Sequence, residues 1–232
     1  MSEYVFQPSN VVSVAMQGEA ARYPVRRIFC VGRNYEAHAR EMGAEVDREA
    51  PFYFTKSAHS VIESGTRLPY PPGTADLHHE MELAVALGGA VDRSSPETAL
   101  QSVLGYGCAL DMTRRDLQAK AKEKRRPWDL GKDFEGSAVL APLVRATDWG
   151  PVAEQSITLA VNGDMRQSAQ LDQMIHGVGA VLMDLSQFYT LGAGDVILTG
   201  TPAGVGAVVA GDQLVGQIDG LPPVQLTLAA RS

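Results

Sequence analysis

The sequence HHEMELAVALG, residues 78–88, predicts both a strand and a candidate site, because large apolar residues alternate with acids and alanines. Successive side chains of a strand point to opposite faces, so each set would occupy its own face. The large apolar face should pack into the core and leave two carboxylates beside small side chains, with room for an ion or ligand. The two faces are Met81, Leu83, Val85 and Leu87, and Glu80, Glu82, Ala84 and Ala86.

A third acid, Asp111, follows the apolar run 106–110 in GCALDMTRRD and extends this candidate site. Taken alone, two glutamates on a half-buried strand are ordinary solvated residues, and that reading stays open for the pair. Three oxygen donors from two strands could hold a hard cation such as Mg²⁺. Glu80, Glu82 and Asp111 are therefore the candidate metal ligands.

Composition limits the classes of protein to consider. The 232 residues, 45% of them hydrophobic, suffice for one substantial domain, and a net charge of −7 argues against a general nucleic-acid partner. No apolar run approaches the ~20 residues needed to cross a bilayer, so we expect a cytoplasmic protein without a membrane partner. Cys30 and Cys108 lie in apolar runs and should be reduced and buried.

The chain divides into an N-terminal arm, residues 1–24, with a short strand near 11–15, and a body spanning 25–232. Runs of apolar residues predict a mainly β, α+β body, and Asn162-Gly163 marks a hairpin turn. Asn34 is expected to cap the first helix. Strands are predicted over 27–31, 157–161, 195–198, 213–218 and 224–228, and helices over 35–42, 116–124 and 174–189.

Three further positions could carry chemistry. His38 and Glu41 lie three residues apart on the short first helix, where the carboxylate would orient the imidazole as a general base for water. Lys132 lies in a glycine-bounded loop, and Thr201 in the turn of GDVILTGTP. On spacing alone, a solvated His-Glu pair, a water-facing lysine and an ordinary turn remain the simpler alternatives.

Other patterns favour no site. The basic residues of the helix over 116–124 and just beyond it are expected to form a solvated surface: Lys120, Lys122, Lys124, Arg125 and Arg126. A phosphate-binding loop and a nucleophile elbow are missing from the sequence, and GVGAVVAG lacks the context of a dinucleotide fingerprint. Activated water is the hydrolytic chemistry that the sequence best supports.

Five motifs in order, spanning about residues 26–220, resemble the fumarylacetoacetate hydrolase family: IFCVGRNYEAHAREMG, LHHEMELAVALG, GYGCALDMTRRDLQ, RPWDLGKDF and GDVILTGTPAGVG. The resemblance implies a mixed β-roll or sandwich of the fumarylacetoacetase C-terminal type with a few short helices. It also implies that residues 25–232 form a single catalytic domain and that the protein is a homodimer.

The same resemblance implies roles for individual residues. Glu80, Glu82 and Asp111 would hold Mg²⁺ or Mn²⁺, while Val31 stands where eukaryotic fumarylacetoacetases have a further acidic ligand. The catalytic residues would be His38, Glu41 and Lys132, with the first two on a segment that closes over substrate. The substrate contacts would be Arg33, Tyr35, Arg115, Gln118 and Thr201, of which Thr201 would bind a terminal carboxylate.

The activity that the resemblance implies is metal-dependent hydrolysis of a carbon-carbon bond in an acylpyruvate, a diketo acid. Fumarylpyruvate, cleaved to fumarate and pyruvate in aromatic-compound catabolism, is the expected substrate. One alternative within the family is decarboxylation or isomerisation of oxaloacetate or a hydroxylated dienedioate at the same metal site. A second alternative is a non-catalytic metabolite-binding protein.

Overall fold

The computed structural model describes residues 3–43, 46 and 48–231, and β-structure dominates them. The strands are β1 (Ser13–Ala15), β2 (Arg22–Pro24), β3 (Arg27–Gly32), β4 (Phe52–Lys56), β5 (Val61–Glu63), β6 (Thr66–Pro69), β7 (Leu77–His79), β8 (Met81–Leu87), β9 (Val103–Asp111), β10 (Thr113–Arg114), β11 (Ala138–Leu140), β12 (Val144–Arg145), β13 (Ser156–Val161), β14 (Asp164–Gln170), β15 (Asp195–Leu198), β16 (Gly206–Val208), β17 (Gln213–Ile218) and β18 (Val224–Ala229).

The helices are short and lie between strands. They are α1 (Glu36–Glu41), α2 (Pro96–Leu100), α3 (Arg115–Glu123), α4 (Asp129–Lys132), α5 (Ala146–Trp149) and α6 (Val178–Leu185), with 3₁₀ turns at Ala58–Ser60 and Leu171–Gln173. Within the described residues, none of these helices has the length and apolar character to cross a membrane.

Two large sheets form the body. The larger has the strand order β4-β3-β15-β8-β9-β11-β5, with β12 also paired to β9, and the second has the order β14-β13-β17-β18-β6. The β3–β15 and β11–β5 pairs are parallel, whereas β15–β8 and β8–β9 are antiparallel. Smaller sheets join β10-β7-β16 and β1-β2. The predicted α+β, mainly β sandwich is confirmed.

The main core lies between the two large sheets. Leu83 and Val85 of β8 pack there in one cluster with Ile157 and Leu159 of β13. A second cluster covers the opposite face of β8, where Ala84 and other small residues meet the N-terminal strands. The strand buries its large apolar face as predicted, but the alanine face is not open. Only its Glu80–Glu82 end is left for a site.

The larger sheet is curled, as one long-range contact demonstrates. Lys56 ends β4, Asp111 ends β9, and three strands lie between them in the sheet order. Four strand spacings in a flat sheet would separate them by about 19 Å, far beyond the reach of a lysine. Lys56 Nζ nevertheless lies 2.8 Å from Asp111 Oδ1. The sheet therefore bends until its first strand approaches its fifth at the end that carries the acids.

The N-terminal strands pack against the body. Val14 and Tyr23 belong to the second core cluster, and the Tyr23 hydroxyl donates to the carbonyls of Leu87 and Asp195. The short strand expected near residues 11–15 is found as β1. The division of the chain into an arm, 1–24, and a catalytic domain, 25–232, stays a prediction.

Several local predictions hold and three need correction. Cys30 and Cys108 are buried free thiols, and Asn162 and Gly163 form the hairpin turn between β13 and β14 with φ of 54° and 88°. The strand of residues 78–88 is interrupted at Glu80, between β7 and β8. The long helix predicted over 174–189 is only α6, because the segments on both sides of it form turns.

Asn34 does not cap α1, which begins after Tyr35. Its amide donates instead to the carbonyls of His176 and Thr199, and its Oδ1 accepts from the His176 amide. These three hydrogen bonds satisfy a residue that is completely buried. Asn34 therefore fixes the turn after β3 to the turn after β15.

A buried carboxylate joins β3 to β15. Arg26 and Arg27 each donate two hydrogen bonds to Asp195, at 2.7–3.1 Å. Burial acts against the charged carboxylate, but the hydrogen bonds from Arg26 and Arg27 outweigh it and hold the pKa of Asp195 below its usual value. The ionised form therefore stabilises the fold.

Asp195→Asn should lower the free energy of unfolding by about 1–3 kcal/mol at pH 7, because the arginines lose their charged acceptor. This stabilisation is complete above the unfolded pKa of about 3.9 and is lost as pH falls through the lower folded pKa, so the two proteins should converge below about pH 4. Denaturant unfolding across pH measures both effects. The control is Asp164→Asn, on a largely exposed carboxylate; equal stability of Asp195→Asn and wild type at pH 7 would contradict the assignment.

Candidate active site

Four adjacent strands end at one edge of the larger sheet and build the site. The register places Cys30 opposite Leu198, and Leu198 opposite Ala84. If the register between β15 and β8 is continued by two residues, Gly200 lies beside Glu82. The amide of Asp111 donates to the carbonyl of Glu80 at 2.9 Å on the other side of β8. The ends of β3, β15, β8 and β9 therefore meet, although their residues are far apart in sequence.

The three acids predicted as metal ligands meet at this edge. Oxygen atoms of Glu80, Glu82 and Asp111 all lie within 4.8 Å of one another. Their residues are 5%, 1% and 0% exposed, so water contributes little to stabilising their charges. Buried carboxylates this close need positive charge or protons nearby.

Glu82 is the member of this acid trio that lacks a cationic partner among the described residues. Its Oε2 accepts one hydrogen bond, from the Gly200 amide at 2.7 Å. Burial, followed by the charges of Asp111 and Glu80, raises its pKa well above the ordinary value. A divalent cation fits this place, since it would supply the missing charge to hard oxygen ligands. The acid trio is thus a divalent metal site.

Two buried lysines neutralise the rest of the acid trio. Lys132 Nζ donates to Glu80 Oε2 at 2.8 Å, to Asp111 Oδ2 at 2.6 Å and to Thr113 Oγ1 at 2.7 Å. Burial opposes its charge, but Asp111 and Glu80 prevail and raise its pKa, so the ammonium is charged. Lys56 holds the other oxygen of Asp111. Sequence reasoning missed Lys56, because its partner lies in a distant part of the chain.

Lys132 is not the water-facing loop residue that its sequence context favoured. It ends α4 and is 2% exposed. An ammonium has three N–H donors, and the protein accepts all of them. Contact between Lys132 and a substrate therefore requires one bond to break. Lys132 would regain free donors once Glu80 and Asp111 direct their oxygens to a cation.

Arg115 and Gln118 lie together at the start of α3, as their spacing in TRRDLQ suggests. Arg115 donates to Glu80 Oε1 at 2.5 Å and to Gln118 Oε1 at 2.6 Å. Because Gln118 accepts through its carbonyl oxygen, its NH₂ group is left to donate, and the residue lines the cavity. Burial opposes the Glu80 charge, but Lys132 and Arg115 outweigh burial and lower its pKa.

His38 and Glu41 form the expected pair on α1. His38 Nδ1 lies 3.3 Å from Glu41 Oε2, and His38 is 5% exposed, so the solvated alternative is wrong for the histidine. Glu41 also accepts from the Gly204 amide at 3.1 Å. Burial lowers the pKa of His38 despite the opposing charges of Glu80 and Glu41. In the neutral imidazole the Nδ1–H group donates a hydrogen bond to Glu41, and Nε2 keeps a basic lone pair.

The turn after β15 brings Thr201 to the cavity. Gly200 has a φ of 94°, and a Cβ there would lie 2.8 Å from Cβ of Asn34, so only glycine fits. Gln167, for which no sequence pattern indicated a role, orients Thr201. Its Oε1 accepts from the Met81 amide, and its Nε2 donates to Thr201 Oγ1, at 3.0 and 2.8 Å. The Thr201 hydroxyl proton is thereby left to donate elsewhere.

One cavity unites most of the predicted site residues. Tyr35 lies outside this lining. Its hydroxyl is buried with no hydrogen-bond partner among the residues that the structure describes, and its role as a substrate contact stays a prediction. Lys122 was expected on a solvated surface but lines the cavity. The predicted residues in the lining are Arg33, His38, Glu80, Glu82, Arg115, Gln118, Lys132 and Thr201.

The family follows from comparison with known sequences. A family model described as fumarylacetoacetate (FAA) hydrolase C-terminal matches residues 27–229. The chain belongs to the fumarylacetoacetate hydrolase family. The match covers every cavity residue described above, so the family resemblance of the motifs is confirmed.

Individual relatives of this fumarylacetoacetate hydrolase family member differ in their named activities. A fumarylpyruvate hydrolase from Ralstonia sp is 47% identical over 190 residues, covering 81% of this chain and 98% of the relative. Oxaloacetate tautomerase YcgM from Escherichia coli (strain K12) is 39% identical over 205 residues, covering 88% and 93%. The family thus contains both hydrolases and tautomerases.

A solved structure resembles the whole chain. Fumarylpyruvate hydrolase from Pseudomonas aeruginosa, in complex with Mn²⁺ and pyruvate, superposes with a TM-score of 0.94 and 42% identity, covering 99% of this chain and 100% of that chain. Its Mn²⁺ agrees with the oxygen-ligand chemistry of the acid trio.

Glu82→Gln should weaken Mn²⁺ binding by more than the roughly 10- to 100-fold that loss of an outer partner costs at a metal site. Without metal, the same change removes a buried like charge, so the melting temperature should hold or rise. Calorimetric titration and thermal unfolding measure the two effects, with Glu123→Gln, at an exposed position of α3, as control. Unchanged Mn²⁺ affinity in Glu82→Gln would refute the ligand assignment.

Proposed function

We propose that this protein is a metal-dependent hydrolase that cleaves a carbon-carbon bond in acylpyruvates, with fumarylpyruvate giving fumarate and pyruvate. The observation that carries the proposal is that His38, oriented by Glu41, lines the same cavity as Glu80 and Glu82. The named activity of the Ralstonia relative and the pyruvate in the Pseudomonas structure support the choice of substrate.

His38 is proposed as the general base. Its Nε2 would accept a proton from water, and the resulting hydroxide oxygen would bond to the acyl carbonyl carbon. Glu41 holds the ring and stabilises the imidazolium that forms. Burial keeps the base neutral beforehand, because it lowers the pKa of His38.

Cleavage then breaks the bond between the acyl carbonyl carbon and C3 of the pyruvate part. The electron pair passes into the pyruvate enolate, and the proton from His38 returns to C3, so the elements of water are divided between the two products. A divalent ion bound by the acid trio would polarise and orient the keto-acid oxygens. Lys132 places a fixed positive charge beside the developing enolate.

The remaining contacts would orient the substrate. Arg115 and Gln118 line the cavity from α3, and the free hydroxyl proton of Thr201 would donate to a terminal carboxylate. Arg33 and Tyr35 are proposed as further substrate contacts. The native metal, Mg²⁺ or Mn²⁺, the homodimer and the cytoplasmic location stay predictions.

His38→Gln should lower kcat for fumarylpyruvate by about 10²- to 10⁴-fold, because water loses its base. Affinity for Mn²⁺ should be unchanged, since the acid trio is intact. Loss of the ultraviolet absorbance of the enolised diketone follows turnover, and exposed His59→Gln is the matched control. A kcat of His38→Gln within a few-fold of wild type would contradict the role of His38 as general base.

Metal removal gives a second test of the proposed reaction. A chelator should abolish hydrolysis of fumarylpyruvate, and added Mn²⁺ or Mg²⁺ should restore it, because the acids alone leave the keto-acid oxygens unpolarised. Full activity of metal-stripped protein, verified by elemental analysis, would be incompatible with the mechanism.

Oxaloacetate chemistry is the second candidate, favoured by the 39% identity to oxaloacetate tautomerase YcgM. The same base could move a proton between carbon and oxygen without attack by water. Side-by-side kinetics with fumarylpyruvate and oxaloacetate separate the two reactions. A higher kcat/KM for oxaloacetate conversion than for fumarylpyruvate hydrolysis would favour this second candidate.

A further inference from the structure

The mouth of the active-site cavity carries two cations that the acid trio does not neutralise. Arg33, just after β3, and Lys122, on α3, both line the cavity. Neither forms an ion pair with a carboxylate in the part of the chain that the structure describes. The inner cations differ, because Lys132 and Arg115 are bound to Glu80.

Lys122 is held in place by an aromatic ring. Its ammonium lies 4.9 Å from the centre of the Trp128 ring, within the range of a cation–π contact. The ring gives the side chain a defined position at the cavity and leaves the N–H groups that point away from it free to donate. Lys120 and Lys124 of the same segment are exposed and do not line the cavity.

The backbone at Arg33 has an unusual conformation that its neighbours hold in place. Its φ of 58° lies in the left-handed region, which arginine rarely adopts. The next residue, Asn34, is anchored by three hydrogen bonds to the segments carrying Thr199 and His176. This anchor holds the unusual turn and with it the position of Arg33 at the cavity mouth.

The charges around Lys122 favour an added anion. Burial, followed by the positive charges of Arg115 and Arg33, lowers its pKa to about 8. The one carboxylate among the main influences, Glu80, is already bound to Arg115 and Lys132. A carboxylate entering the mouth would supply both the charge and the acceptors that this region lacks.

We propose that Arg33 and Lys122 bind the carboxylate at the far end of the acyl group and so select acylpyruvates with a second acidic group. This inference rests on the proposed function, because it assumes that the pyruvate part lies at the acid trio. Hydrolysis would then release the acyl group as a dicarboxylate. Neutral acylpyruvates would leave Arg33 and Lys122 without an anion.

The test compares fumarylpyruvate with acetylpyruvate, which lacks the second carboxylate. Lys122→Met should lower kcat/KM for fumarylpyruvate by about 10- to 100-fold, mainly through KM, as expected for loss of a charge-assisted hydrogen bond. Its kcat/KM for acetylpyruvate should change by less than about twofold, because that substrate has no second carboxylate for Lys122 to bind. Lys124→Met, on an exposed neighbouring lysine, should leave both substrates unaffected.

An equal loss for both substrates would mean that Lys122 acts on the reaction or the fold and would overturn the proposal. No loss for either would overturn it too. Lys122→Arg provides a further check, because restored charge should recover most of the kcat/KM for fumarylpyruvate. If the variant with arginine stayed as impaired as Lys122→Met, an anion subsite would be contradicted.

A binding experiment tests the anion subsite of Arg33 and Lys122 independently of whether the protein is a hydrolase. Wild-type protein that hydrolyses neither acylpyruvate would refute the hydrolase proposal, and calorimetric titration of fumarate and crotonate into the Mn²⁺-loaded protein would then decide the subsite. Fumarate should bind more tightly than crotonate, which has one carboxylate, and Lys122→Met should remove that difference. Equal affinities in wild type would reject the subsite.

Discussion

Three buried carboxylates at one edge of the sheet are the constraint on which the site depends. Glu80, Glu82 and Asp111 repel one another in a place that water scarcely reaches. Such a cluster is stable only if cations are built around it or bound to it. The curled sheet brings Lys56 to Asp111, and α4 brings Lys132 to both Asp111 and Glu80. Glu82 is left for the divalent ion.

The distribution of positive charge divides the cavity into two functional parts. Near the acid trio, Lys56, Lys132 and Arg115 are held by carboxylates and have fixed positions. At the mouth, Arg33 and Lys122 have no such partners among the described residues. An acylpyruvate with two carboxylates matches this division, because its keto-acid end and its acyl end would meet different charges. The proposed specificity thus follows from the same electrostatics as the proposed metal site.

The local parts of this arrangement were predictable from sequence. Spacing in EME placed Glu80 and Glu82 together, spacing in HARE placed His38 near Glu41, and the ordered motifs identified the family. The long-range parts were not predictable. Lys56 reaches Asp111 only because the sheet curls, and Gln167 reaches Thr201 and Met81 from the other sheet. Lys122 shares the composition of a solvated helix surface, and only its place beside Trp128 distinguishes it.

The acid trio is expected to bind one divalent ion. Diffraction from crystals grown with Mn²⁺, recorded where manganese scatters anomalously, tests it most directly. We expect a single anomalous peak bounded by oxygens of Glu80, Glu82 and Asp111 at about 2.0–2.4 Å, the range of hard-cation distances to oxygen. A peak at another place, or Lys132 still bonded to Glu80 and Asp111 with no peak between the acids, would contradict it.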